Sequence, residues 1–210
     1  MRVVIAGGHG KIALLTAELL TRRGDEVVAL VRNPDHFEDV RKAGASPALC
    51  DLEAADVATV AEHLKNADAA LFAAGAGPGS GVERKDTVDR AASALFASAA
   101  QQAGVSRFIQ ISTTGIGRTT GDKVFDAYLK AKAEAEEDLK SRPLEWTILR
   151  PGRLTDEPPT GHVDLSESPR RGHIPRADVA AVVVALLDHP TTAHRTYELT
   201  SGPTPIAEAL

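Results

Sequence analysis

MRVVIAGGHGKIALLTAELLTRRGDEVVALVR, residues 1–32, reads as an apolar run, a glycine cluster, an amphipathic run, a second apolar run and a basic residue. Val3, Val4 and Ile5 predict a buried parallel strand. Ile12, Leu15 and Leu19, with Leu20 beside them, fall on one helix face that Gly24 ends, and residues 26–31 predict a second strand. The interval between the two strands is the length of a right-handed βαβ unit. A strand that turns sharply into a helix presents free backbone N–H groups and the positive end of the helix dipole at one point, which suits a pyrophosphate. In Gly7-Gly8-His9-Gly10-Lys11-Ile12-Ala13, Gly7 permits the turn and Gly10 lets the backbone approach the phosphates. Ala13 takes the small position where helix meets strand. His9 either touches a phosphate or stays in solvent.

The residue ending the second strand selects the nucleotide, because the adenosine ribose lies there. A carboxylate accepts from a 2′-hydroxyl, whereas an arginine accommodates a 2′-phosphate. Here Arg32 and Asn33 occupy that tip, and the first acid is Asp35. NADP(H) is therefore favoured and NAD(H) stays possible, the alternative being that Arg32 is a solvated strand-end residue.

The chain of 210 residues, with net charge −5 and sequence pI near 5.8, suits one open α/β domain and has no basic face for nucleic acid. It carries no signal-like leader and no apolar run near membrane length, so a cytoplasmic protein off the membrane is expected. Its one cysteine, Cys50, ends an apolar run and reads as a packing thiol. The histidines offer no metal-ligand spacing.

Further strands are expected at 45–50, 69–73, 107–111, 146–149 and 196–199, and helices at 35–43, 55–64, 84–103, 125–140 and 177–187. This alternation predicts a doubly wound α/β fold: a mostly parallel seven-stranded sheet flanked by helices, one domain over 1–210, with no separate large substrate domain. Residues 151–176 read as a substrate-side loop region rich in Pro, Gly, Ser and charge. Asp51-Leu52 after the third strand and Ala73-Ala74-Gly75 after the fourth are candidate cofactor wall. Alanine-rich helices at 84–103 and 125–140 suit helix packing within the chain or across a homodimer.

Ser112-Thr113-Thr114 leaves the fifth strand at the ligand edge, and Tyr128 and Lys132 share a face of the next helix. A cation beside a phenol favours the phenolate, which makes a proton donor or acceptor usable next to a hydride carrier. Lys132 also suits the nicotinamide ribose, and Ser112 or Thr113 a substrate carbonyl oxygen. The bland alternative is an amphipathic helix with its lysines in water.

The glycine turn, Val31-Arg32-Asn33-Pro34, Tyr128 to Lys132, Thr147-Ile148-Leu149-Arg150-Pro151-Gly152 and Ile174-Pro175-Arg176-Ala177-Asp178-Val179-Ala180 together resemble the atypical short-chain dehydrogenase/reductase superfamily. Within it the chain is most similar to small NAD(P)H-binding, NmrA-like proteins often labelled sugar epimerases. More loosely it is similar to biliverdin reductase B and flavin reductases. The resemblance implies a Rossmann fold, places Tyr128 and Lys132 on the superfamily's Tyr-x-x-x-Lys pair and Ser112 or Thr113 on its hydroxyl position, and sets Pro151 and Gly152 beside the nicotinamide. Two functions are expected from it: an NADP-dependent oxidoreductase moving hydride to or from a small carbonyl, quinone or flavin-like molecule, or an NADP(H)-binding redox sensor without turnover.

Overall fold

The computed structural model describes residues 1–77, 79–168 and 171–210. Its first βαβ unit is β1 (Arg2–Ala6), α1 (Lys11–Arg22) and β2 (Glu26–Val31), with β1 and β2 parallel. Successive side chains leave a strand on opposite faces. Val3 and Ile5 accordingly join Ala13, Ala17 and Leu20 of α1 in one core, while Val4 and Ala6 join a second core on the other side. A strand apolar on both faces must be covered on both, so this sheet lies in the middle of the molecule.

The chain continues through α2 (Phe37–Lys42), β3 (Ser46–Leu49), α3 (Val57–Leu64), β4 (Ala69–Phe72), α4 (Val82–Arg84), α5 (Ala92–Ala103), β5 (Arg107–Ile111), α6 (Lys123–Lys140) and β6 (Glu145–Pro151). It ends with β7 (Arg153–Thr155), β8 (His162–Ser166), β9 (His173–Pro175), α7 (Arg176–Asp188), β10 (Arg195–Ser201) and β11 (Thr204–Pro205). The main sheet runs β11-β8-β10-β6-β5-β4-β1-β2-β3. The seven expected strands are its seven parallel ones, from β3 to β10.

Among the described residues the sheet has nine strands, because β8 pairs antiparallel with β10 and with β11 at the far edge. The stretch 151–176 is likewise more than a loop, since β7 and β9 form a separate parallel pair and β8 lies between them. His162 to Ser166 alternates polar and apolar side chains, with Val163 fully buried, but five residues amid Pro, Gly and Ser carry a weak strand signal. Asp178 on α7 anchors the start of β8 by accepting from the Thr160 and Gly161 N–H groups at 2.9 Å each. Residues 169 and 170 of this stretch lie outside the described residues.

The helix expected over 84–103 is interrupted. Between α4 and α5 the chain makes a π-helical turn, Lys85–Ala91, within which Lys85, Val88 and Asp89 are buried. The alanines of α5 pack inside the chain, with α5 lying on α3, while α1 and α7 pair on the opposite face. Strand order reverses between β1 and β4, and there the carboxyl edge of a doubly wound sheet opens a crevice. Among the described residues no helix is long and apolar enough to cross a membrane.

Candidate nucleotide and active site

A cavity of about 300 Å³ opens at that reversal. Its floor is the glycine turn. Gly7 has φ +77°, and a Cβ there would lie 2.6 Å from Ala74 Cα, so the turn and the end of β4 touch backbone to backbone. Gly8 donates its N–H to Leu30 O at 2.9 Å, and a Cβ on it would lie 2.5 Å from that of Ala29, which fixes the turn on β2. Gly10 caps α1 in an extended conformation, with no side-chain cap and no acid in the helix's first turn. The first-turn N–H groups of α1 are thus left for an anion, which fits a nucleotide pyrophosphate.

The side chains of the turn are anchored around this floor. His9 lines the cavity, stacks on His36 with ring centroids 3.6 Å apart and sets Nε2 2.9 Å from Asp39 Oδ2. That bond holds the Asp39 carboxyl below the usual carboxylate range. Lys11 Nζ reaches Asp156 at 2.6 Å, as does Arg176, tying α1 to the segment after β7. Ile12 is half-buried against the core. Ala73, Ala74 and Gly75 form the wall opposite β2, and Cys50 is buried behind Asp51 and Leu52, with burial pushing its thiol up.

At the adenosine end Arg32 is exposed and lines the cavity, whereas Asn33 turns its side chain to accept from Asp35 N at 3.0 Å and caps the next turn. Asp51 accepts from Glu53 N at 3.0 Å. That turn presents a carboxylate that the sequence reading missed. Glu53 Oε2 lies 3.2 Å from Arg32 Nη1 and 2.7 Å from Arg84 Nη2, and Thr87 donates to Oε1 at 2.6 Å. The Arg84 bond foremost, then Thr87, holds the Glu53 carboxyl below its usual range. Arg84 and Glu53 are 31 residues apart, so no local motif announces the pair.

The reaction-end residues gather beyond this cavity, at the carboxyl ends of β4, β5 and β6. Lys132 is buried, with Nζ 3.3 Å from Ile111 O and 3.2 Å from Asp89 Oδ1. Asp89 is fully buried and accepts from Ala76 N through Oδ2, while its Oδ1 has the charge of Lys132 beside it but no directed donor. Tyr128 is half-buried one helical turn earlier, with Lys85 Nζ 5.4 Å and Lys132 Nζ 6.0 Å from its ring centroid. The sequence reading passed over Lys85 and Asp89: at i and i+4 they share a helix face, but nothing local says that this face turns inward.

The two candidate hydroxyls separate. Ser112 is buried and donates to Glu136 Oε1 at 2.6 Å, within a network in which Arg150 Nε also donates to Glu136 at 2.9 Å. With its proton directed at a carboxylate, Ser112 has none for a substrate oxygen. Thr113 is half-buried, with a long 3.3 Å contact to Thr114 O. Pro151 is buried, and Gly152 permits a close approach, since a Cβ there would lie 2.6 Å from Gly172 O.

A family model described as NAD(P)H-binding matches residues 7–190. The uncharacterized sugar epimerase YhfK of Bacillus subtilis is 36% identical over 212 residues, covering 100% of this chain and 99% of that protein. A solved Bacillus halodurans structure, provisionally named an NAD-dependent epimerase/dehydratase, is 36% identical with a TM-score of 0.91 over 99% of this chain and 97% of its own. ChuY of Escherichia coli O157:H7, described as an anaerobillin reductase, is 26% identical with a TM-score of 0.79, covering 97% of this chain and 100% of its own. Matched from the glycine turn to the end of the last long helix, the chain belongs to the NAD(P)H-binding family.

Proposed function

We propose that this chain is an NADP(H)-preferring oxidoreductase that moves hydride between the nicotinamide and a small carbonyl, quinone or flavin-like molecule. The glycine turn and the N-terminus of α1 hold the pyrophosphate, and Arg32 faces the adenosine 2′-phosphate. Bound NADPH supplies the hydride. The protein's own task is to align the acceptor and, for a carbonyl, to hold a proton at its oxygen.

The observation that carries this reading is Tyr128, half-buried at the carboxyl edge with two ammonium groups, Lys85 and Lys132, within 6.0 Å of its ring centroid. A phenol so placed suits a proton donor to a carbonyl oxygen. Thr113 suits the second contact to the carbonyl oxygen. Phe125, 44% exposed with its ring 5.8 Å from that of Tyr128, and the exposed Val82 and Val124 offer apolar surface to a flat acceptor. The reductase described for ChuY, and the oxidoreductase name of a Lactococcus lactis relative at 25% identity and TM-score 0.87, support redox chemistry over epimerisation.

The test is NADPH oxidation against a panel of aldehydes, quinones and flavins, repeated with Tyr128→Phe. Carbonyl turnover is expected to fall about 10²- to 10⁴-fold, the usual contribution of a positioned proton donor. Quinone and flavin turnover is expected to hold. Tight NADPH binding with no acceptor reduced would overturn the enzyme in favour of a sensor.

A further inference from the structure

We infer that Arg84 and Thr87 complete, with Arg32, a phosphate subsite in which the Glu53 carboxylate is an internal stand-in that the 2′-phosphate of a nucleotide displaces. This rests on the reading that a 2′-phosphate is the preferred ligand there. Three donors from two segments converge on one carboxylate: Arg32 after β2 at 3.2 Å, and from the helical stretch after β4 Arg84 at 2.7 Å and Thr87 at 2.6 Å. Arg32, Glu53 and Arg84 all line the nucleotide cavity.

Charge decides what this arrangement recognises. Two guanidiniums and one carboxylate leave a single net positive charge, whereas a phosphate monoester carries about −1.5 to −2 near neutral pH. With Glu53 in place the site is short of positive charge for a phosphate. With Glu53 turned out to solvent, two guanidiniums face the dianion, and guanidinium donors suit phosphate oxygens. The Glu53 side chain is 26% exposed and borders open cavity, so it has somewhere to go. A carboxylate serving only to accept from a ribose 2′-hydroxyl would need neither a second arginine nor a threonine aimed at it. Glu53 thus sets specificity by competition: it restrains affinity for 2′-phosphorylated nucleotides and leaves non-phosphorylated ones little affected.

The experiment is calorimetric titration of the full chain with 2′,5′-ADP and with 5′-AMP, comparing wild type, Glu53→Gln, Arg84→Met and Thr87→Val. Thermal unfolding of each variant confirms its fold. Glu53→Gln is expected to raise the preference for 2′,5′-ADP over 5′-AMP about tenfold, and Arg84→Met to lower it about tenfold, as a charge-assisted bond gained or lost implies. Thr87→Val is expected to lower it by a smaller factor. An unchanged or reduced preference in Glu53→Gln would overturn the inference. So would a selective loss of 5′-AMP binding in that variant, which would make Glu53 a ribose-hydroxyl acceptor. The cofactor reading is judged separately, on wild type alone: equal affinity for the two ligands there removes the 2′-phosphate preference, while a rise in Glu53→Gln still upholds the displaced carboxylate.

Discussion

The two ends of the site are built by opposite means. The adenosine end is made of backbone and of charges in partial contact with water: the glycine turn, the open N-terminus of α1, and Arg32, Glu53 and Arg84 around the cavity mouth. The reaction end is made of buried charge, with Lys132 at 4% and Asp89 at 0% exposure facing each other beneath Tyr128, and Ser112 tied into the Glu136–Arg150 network. Charges in water are held loosely and exchange partners at little cost, whereas a desolvated pair holds its place because neither member tolerates being left alone. The first end is suited to exchanging a ligand, and the second to holding fixed geometry.

This contrast is tested hardest by removing one buried charge. Asp89→Ala strands Lys132 in the interior and is expected to cost about 3–5 kcal/mol of stability. For a domain of this size that lowers the melting temperature by about 10 °C. A melting temperature within a degree or two of wild type would mean that the pair does not hold the reaction end. Ser112→Ala is milder: Glu136 keeps Arg150 and loses one hydrogen bond, a cost of about 1 kcal/mol, read as a shift in the urea midpoint.

Arg32→Ala sharpens the other side of the comparison. Its side chain is 54% exposed, so stability is expected to stay within about 0.5 kcal/mol of wild type. NADPH affinity should fall about tenfold and NADH affinity far less. Equal losses for the two nucleotides would return Arg32 to the status of an ordinary surface residue.

The same division explains what could be read from the sequence. Gly7, Gly10, Ala13 and Arg32 answer to short-range geometry, a strand, a turn and a helix in succession, and that geometry is written in consecutive residues. Most of the seven parallel strands were legible for a similar reason, since they are short apolar runs bounded by polar turns. Lys85, Asp89, Arg84 and Glu53 were not. Lys85 and Asp89 share a helix face at i and i+4, but that this face meets Tyr128 and Lys132, and that Arg84 meets Glu53, depends on contacts between segments thirty or more residues apart. β8 was missed because its five residues lie amid Pro, Gly and Ser and are held by backbone pairing with β10 and β11.

The smallest effect expected is also the one that tells most about the adenosine end. Glu53 titrates below the usual carboxylate range because Arg84, then Thr87, hydrogen-bond its charged form. A carboxyl whose folded value lies below its unfolded one, about 4.3 for glutamate, stabilises the fold fully above that unfolded value. The contribution disappears as the pH falls through the folded value. The stability difference between wild type and Glu53→Gln should therefore be largest near neutral pH, no more than about 1 kcal/mol because solvent and salt screen a partly exposed pair, and should shrink towards zero on acidification. Urea midpoints of both proteins at neutral pH and near pH 3 measure it. A difference that grows on acidification would mean that the folded protein prefers Glu53 protonated, and the three donors around it would then not be holding an anion at all.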